Sequence, residues 1–124
     1  MNRGRLVVCA AAAAATAIVS AGEPAWANIV RCQVRLGESD YAGPCAFTRD
    51  RGGSFSVAPV ERVVFFSHSK RAPDVKAVAV LVKGSSAEVR GIATDDSETR
   101  WGEARRSHKD HACWIGDHFA ICVY

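Results

Sequence analysis

From residue 28 onward, polar and apolar positions tend to alternate with a period of two, and no stretch of about twelve residues holds a helical period. In the first segment, 29–36, Cys32, Val34 and Leu36 interleave with Arg31, Gln33 and Arg35, which predicts a half-buried strand. Residues 37–44 (GESDYAGP) read as a loop, and 45–50 (CAFTRD) as a short strand ended by the turn signal Arg51-Gly52-Gly53. Segment 54–60 alternates serines with Phe55 and Val57. Segment 61–69 (ERVVFFSHS) carries a continuous apolar run and predicts another core strand, and the pattern breaks at Pro73. The β-branched run 75–83 (VKAVAVLVK) is apolar on both faces, which predicts a central strand. In 87–94, Ala87, Val89, Gly91 and Ala93 share one face, with Glu88 and Arg90 opposite. Segment 99–107 (TRWGEARRS) fits either a strand bent at Gly102 or the start of a short helix. Residues 108–111 are polar loop, and the chain closes with a hairpin. About seven or eight short strands, with turns every 8–12 residues, predict an all-β fold: a small antiparallel barrel or sandwich.

The first 27 residues stand apart from this pattern. A short basic start (MNRGR) leads into an apolar run, and Ala25-Trp26-Ala27 supplies an A-x-A cleavage site. That is the layout of a secretory signal peptide, with cleavage expected between Ala27 and Asn28. The apolar run is shorter than the ~20 residues a bilayer span needs, and no later run is long enough, so no membrane span is expected after cleavage. Residues 28–124 then form a single β-domain with a periplasmic or secreted location. So short a chain buries about 60–65% of its unfolded surface and is marginal without staples.

Export gives the cysteines a meaning. Without Cys9, four remain: Cys32, Cys45, Cys113 and Cys122. An even number in a small exported domain predicts two disulfides. Three pairings are open, and locality favours Cys32–Cys45 with Cys113–Cys122. Each would close a loop worth about 3 kcal/mol in the chain-entropy model. Within the last hairpin, a two-residue turn at Asp117-His118 and a four-residue loop over 116–119 give one register. In it Cys113 opposes Cys122 at a non-hydrogen-bonded pair, where Cα atoms are closest. Trp114, Phe119 and Ile121 then share one face, and Cys113, Ile115, Ala120 and Cys122 the other. With both faces apolar, the hairpin is expected to be buried.

Candidate chemistry is sparse. The C-x-x-C spacing of redox enzymes is absent, as is a phosphate loop, since Arg51-Gly52-Gly53-Ser54 lacks the following Lys and helix. Ser67-His68-Ser69 lacks the spatial partners that make a nucleophile. His108, His111 and His118, with Asp110 and Asp117, are the only grouping that suggests zinc, yet they fall in polar loop without the spacing of a metal motif. No metal, no cofactor and no catalytic residues are therefore expected. A metal-dependent enzyme using that histidine cluster, or a purely structural envelope protein, is the alternative. The formal net charge is +3. The charges are interspersed with no basic block, which speaks against nucleic acid. Arg100, Trp101, Arg105 and Arg106, with His108, concentrate the side chains that dominate interaction hot spots and are the candidate binding surface. The expected function is a non-enzymatic binding or inhibitor-like module, its partner a protein or an envelope glycan.

The ending WGEARRSHKDHACWIGDHFAICVY resembles that of small uncharacterised exported proteins of alphaproteobacteria, a resemblance that implies no activity. The order and spacing of Ala104-Arg105-Arg106 and Cys113-Trp114-Ile115-Gly116 also resemble, more faintly, the periplasmic and membrane-bound inhibitors of C-type lysozyme. Those are small exported β-barrels with an early cysteine and a late Ala-Arg-Tyr…Phe-Trp-x-Lys-Gly pattern. The resemblance implies a shared barrel. It does not carry the inhibitory residues over: the family's serine would fall at Gly102, and its lysine is missing between Trp114 and Gly116.

Overall fold

The structure is a computed structural model that describes residues 27–66 and 74–124. Of the expected leader, residues 1–27, all but Ala27 lie outside them, as do Ser67, His68 and Ser69. Eight strands follow one another around a closed antiparallel barrel. They are β1 (Ala27–Leu36), β2 (Ser39–Arg49), β3 (Phe55–Pro59), β4 (Val75–Lys83), β5 (Ser86–Ala93), β6 (Glu98–Arg106), β7 (Cys113–Ile115) and β8 (Phe119–Val123). Each strand pairs with its chain neighbour, and β8 returns to β1 through Cys32↔Val123 to Leu36↔Phe119. Closure removes the edges that a small open sheet would expose.

The period-two pattern decides which side chains enter the barrel. Val34, Val57, Val78, Val80, Val89 and Ile121 are fully buried and meet at the centre. The inward set foreseen on β5 is buried throughout: Ala87, Val89, Gly91 and Ala93. Tyr41 and Phe65 pack edge to face, with ring centroids 5.2 Å apart. Trp114 and Phe119 complete the filling from the last hairpin. Side chains thus occupy the interior, as expected of an eight-stranded barrel.

Several local expectations change. Residues 37–44 are not a loop. Gly37-Glu38 makes a two-residue turn, and β2 begins at Ser39, facing β1 through Leu36↔Ser39 to Ala27↔Thr48. The loop-forming residues Gly43 and Pro44 are tolerated in β2 because the ladder is long and Tyr41 folds its hydroxyl onto the Pro44 carbonyl at 2.7 Å. Residues 61–66 form no strand. Phe65 and Phe66 are buried, but among the described residues their pairing to β4 is limited to a bridge from Phe66 to Val75 and the Phe65 amide donating to the Val75 carbonyl. An apolar run can fill a core without joining a ladder. β4 is apolar on both faces, yet only Val75, Val78 and Val80 are buried. Ala77, Ala79 and Leu81 form an uncharged outer wall, since a closed barrel has no central strand. Segment 98–106 is a strand, with an irregularity between Val89↔Gly102 and Arg90↔Arg100. This bulge sits at Trp101-Gly102, where Gly102 takes φ 133, a conformation that favours glycine.

Both disulfides pair as locality favours. Cys32–Cys45 spans 5.8 Å between Cα atoms and Cys113–Cys122 spans 4.0 Å. The last hairpin has the expected register, Cys113↔Cys122, Trp114↔Ile121 and Ile115↔Ala120. Its inner face, Trp114, Phe119 and Ile121, joins the core; on the outer face Cys113 and Cys122 are also buried, whereas Ile115 is 44% exposed. Among the described residues, no helix is long and apolar enough to cross a membrane. Two disulfides belong to an oxidising environment outside the cytoplasm.

Candidate functional site at the lower rim of the barrel

Strand direction alternates, so the connections fall on two rims. The lower rim carries residues 50–54, 84–85 and 107–112 and the C-terminal Tyr124. The upper rim carries 37–38, the β3–β4 connection, 94–97 and 116–118.

The five predicted surface residues do not lie together. Trp101 is half-buried and turns inward. Its ring centroid is 5.8 Å from that of Phe119, and a Cβ on Gly91 would stand 2.6 Å from the indole Nε1. Gly91 is therefore the space that lets the indole lie against the sheet. Arg100 points outward on the β5–β6 wall, 3.7 Å from the Glu88 carboxylate. Glu88 also meets Arg90 at 2.6 Å, and Arg90 reaches Glu98 at 3.0 Å. The hydrogen bond from Arg90 holds the Glu88 carboxyl below its ordinary range, and the same bond raises Arg90. This wall is neutralised by its own pairs.

Arg105, Arg106 and His108 do come together. They line an open cleft of about 370 Å³ with Ser85, Ser107 and His111. Register explains the assembly. Ser86 faces Arg105 across β5–β6, which brings the β4–β5 turn beside the end of β6. Arg106 faces Trp114 across β6–β7, and its guanidinium carbon sits 4.7 Å above the buried indole. That cation–π contact orients Arg106 without neutralising it. Among the described residues, neither Arg105 nor Arg106 has a carboxylate within ion-pair distance.

The 107–112 loop that supplies the imidazoles is fixed by its own short polar residues. Ser107 Oγ accepts from the Lys109 and Asp110 amides, each at 3.2 Å, and Asp110 Oδ1 accepts from the Ala112 amide at 3.0 Å. The Cys113 amide donates to the Asp110 carbonyl and the Ser107 amide to the Cys113 carbonyl, both at 2.9 Å. The Tyr124 hydroxyl donates to Asp110 Oδ2 at 2.9 Å, which raises the Tyr124 phenol above its ordinary value.

The predicted histidine group is divided. His108 and His111 share the cleft, but His118 lies on the β7–β8 turn, lining another hollow with Asp117 and Arg35. Among the described residues, no three His, Cys, Asp or Glu side chains are grouped as metal ligands would be. Sequence reasoning missed Ser85 as a cleft residue. It sits about twenty positions before Arg105, and only the β5–β6 register joins them.

The chain matches no known protein family, no curated protein and no solved structure.

Proposed function

We propose that the protein is an exported, non-catalytic binding module that recognises its partner at the lower rim. The observation that carries this reading is the open cleft in which Arg105, Arg106, His108 and His111 converge on a barrel already filled by its own side chains. Among the described residues the barrel interior is occupied by side chains, which favours recognition on the outside. Arginines free of carboxylate partners offer charge-assisted hydrogen bonds to an anionic or carbonyl-rich partner. An inhibitor-like role against lysozyme fits the barrel but would need other residues than the resembling family uses, because Gly102 offers no hydroxyl and Ile115 no charge.

The test is capture of partners from envelope extracts and from purified lysozymes, using the disulfide-intact protein and its Arg105→Ala/Arg106→Ala variant. Loss of every captured partner in the variant supports the lower rim. Retention of all of them would place the binding surface elsewhere.

A further inference from the structure

Folding sorts charges that are mixed along the chain. An arc of the lower rim gathers Arg51 from the β2–β3 turn, Lys83 from the end of β4, Arg105 and Arg106 from β6, and Lys109 from the β6–β7 loop, all exposed. The described part of the upper rim is mixed in charge, with exposed Glu38, Glu61, Asp95 and Asp96 beside exposed Arg35 and Arg62. On the wall, and beside the upper rim, cations are consumed locally: Arg90 and Arg100 by Glu88 and Glu98, and Lys76 by Asp96. Among the described residues, the lower-rim cations have no such ion pairs. The two nearby lower-rim carboxylates are engaged with the loops themselves. Asp50 accepts from the Arg51 amide, and Asp110 accepts from Ala112 and Tyr124. Glu103 and Asp117 border a second groove that Arg105, Arg106 and His108 also line, and they limit the arc on that side.

Resting on the binding-module reading, we infer that this arc is a docking track for an acidic polysaccharide, a chain carrying carboxylate groups at regular intervals. Three features select that class. First, the cations are spread over three separate connections, which suits a ligand with repeated charges better than one with a single anion. Second, the cleft adds neutral polar groups to the charges, from Ser85, Ser107, His108 and His111. The Ser107 oxygen already accepts two loop amides, so its hydroxyl proton is free to donate to a sugar oxygen. Third, no exposed aromatic side chain lines the cleft, since Trp114 is 2% exposed beneath Arg106. A protein interface of ordinary strength needs an apolar or aromatic anchor at its centre, and base stacking would need an exposed ring.

The experiment measures binding of fluorescently labelled polygalacturonate oligosaccharides to the disulfide-intact protein, with neutral dextran and a DNA duplex of matched length as comparators. Polygalacturonate is expected to bind and dextran not to, with affinity falling about tenfold or more between ~20 and ~200 mM salt. Arg105→Glu/Arg106→Glu should weaken binding about tenfold or more, and Lys83→Glu/Lys109→Glu by a smaller factor. Arg35→Glu, a change of two charges near the upper rim against four in each double variant, should leave it within about twofold. Circular dichroism and mass spectrometry without reductant confirm that each variant is folded and holds both bridges. Equal binding of dextran, tighter binding of DNA, or an equal effect of Arg35→Glu overturns the inference. If polygalacturonate fails to bind while envelope capture still depends on Arg105 and Arg106, the polysaccharide assignment falls and the binding-module reading stands. If neither assay responds, both fall.

Discussion

Cys32–Cys45 lies on the inner face of the barrel and crosses the β1–β2 ladder diagonally, because Cys32 faces Gly43 and Cys45 faces Val30. Cys113–Cys122 joins directly opposed residues of β7 and β8 on the outer face, where the Tyr124 hydroxyl stands 3.8 Å from Cys113 Sγ. The inner bridge is part of the core cluster beside Val34 and Tyr41. The outer one is backed by Trp114 and Ile121 but touches the loop that forms the cleft, through Cys113 and its backbone bonds to Ser107 and Asp110. Similar loop entropies are therefore attached to different tasks. One bridge packs the interior, and the other anchors the binding rim.

The largest expected effect separates the two. Cys32→Ala/Cys45→Ala should lose about 3 kcal/mol of loop entropy and roughly 1–2 kcal/mol more for the voids left in the core. Chemical denaturation should show this as a lower midpoint. A loss no larger than that of the outer pair would show that the inner bridge contributes nothing through packing. Cys113→Ala/Cys122→Ala should lose about 2.5–3 kcal/mol, with no core void, and should also weaken lower-rim binding by freeing the 107–112 loop. Unchanged polygalacturonate affinity in that variant, with its stability reduced, would break the link between the outer bridge and the rim.

A smaller effect tests the upper end, which neither bridge governs. Gly91→Ala places a methyl group against the Trp101 indole and should cost about 1–3 kcal/mol by overpacking, with a change in tryptophan fluorescence. Its cost should add to that of the outer disulfide, as distant sites do, and strong coupling would show that the two ends move together. The smallest effect concerns Tyr124. Its folded phenol is raised above the ordinary value by the hydrogen bond to Asp110. The contact is therefore fully present below the unfolded value near 10, and is lost as pH rises through the higher folded value. Ultraviolet titration of wild type minus Tyr124→Phe should give a midpoint above that of free tyrosine. Asp110→Asn should bring it down, and an unchanged midpoint would remove Asp110 as the cause.

Legibility in the sequence followed range. The β5 face was readable because strand side chains alternate whatever lies around them. The last hairpin was readable because its turn and both cysteines lie within a few residues of each other. The bend at Gly102 was visible as one of two options, but not the inward turn of Trp101, which depends on a missing Cβ at Gly91 across the sheet. Residues 37–44 misled because loop-forming residue types are tolerated inside a long ladder. Segment 61–66 misled because an apolar run shows burial and not pairing. Within the candidate site, Arg105, Arg106 and His108 were legible as a local cluster. Arg100 shares the outer face with Arg105 but lies farther along β6, opposite Arg90, and is held there by Glu88.

By itself the sequence determined the all-β class and favoured the two local bridges and the register of the closing hairpin, all of which rest on interactions between near neighbours in the chain. Only the tertiary structure decided that the sheet closes into a barrel, that its interior is filled, and that cations interspersed along the chain gather on one rim. The physical reason is the alternation of strand direction. In an up-and-down barrel, successive connections fall on opposite ends, so a residue's rim is set by which turn it occupies and not by its neighbours in sequence. The β5–β6 register then brings Ser85, from a distant turn, to a cleft whose other residues are near neighbours between Arg105 and His111.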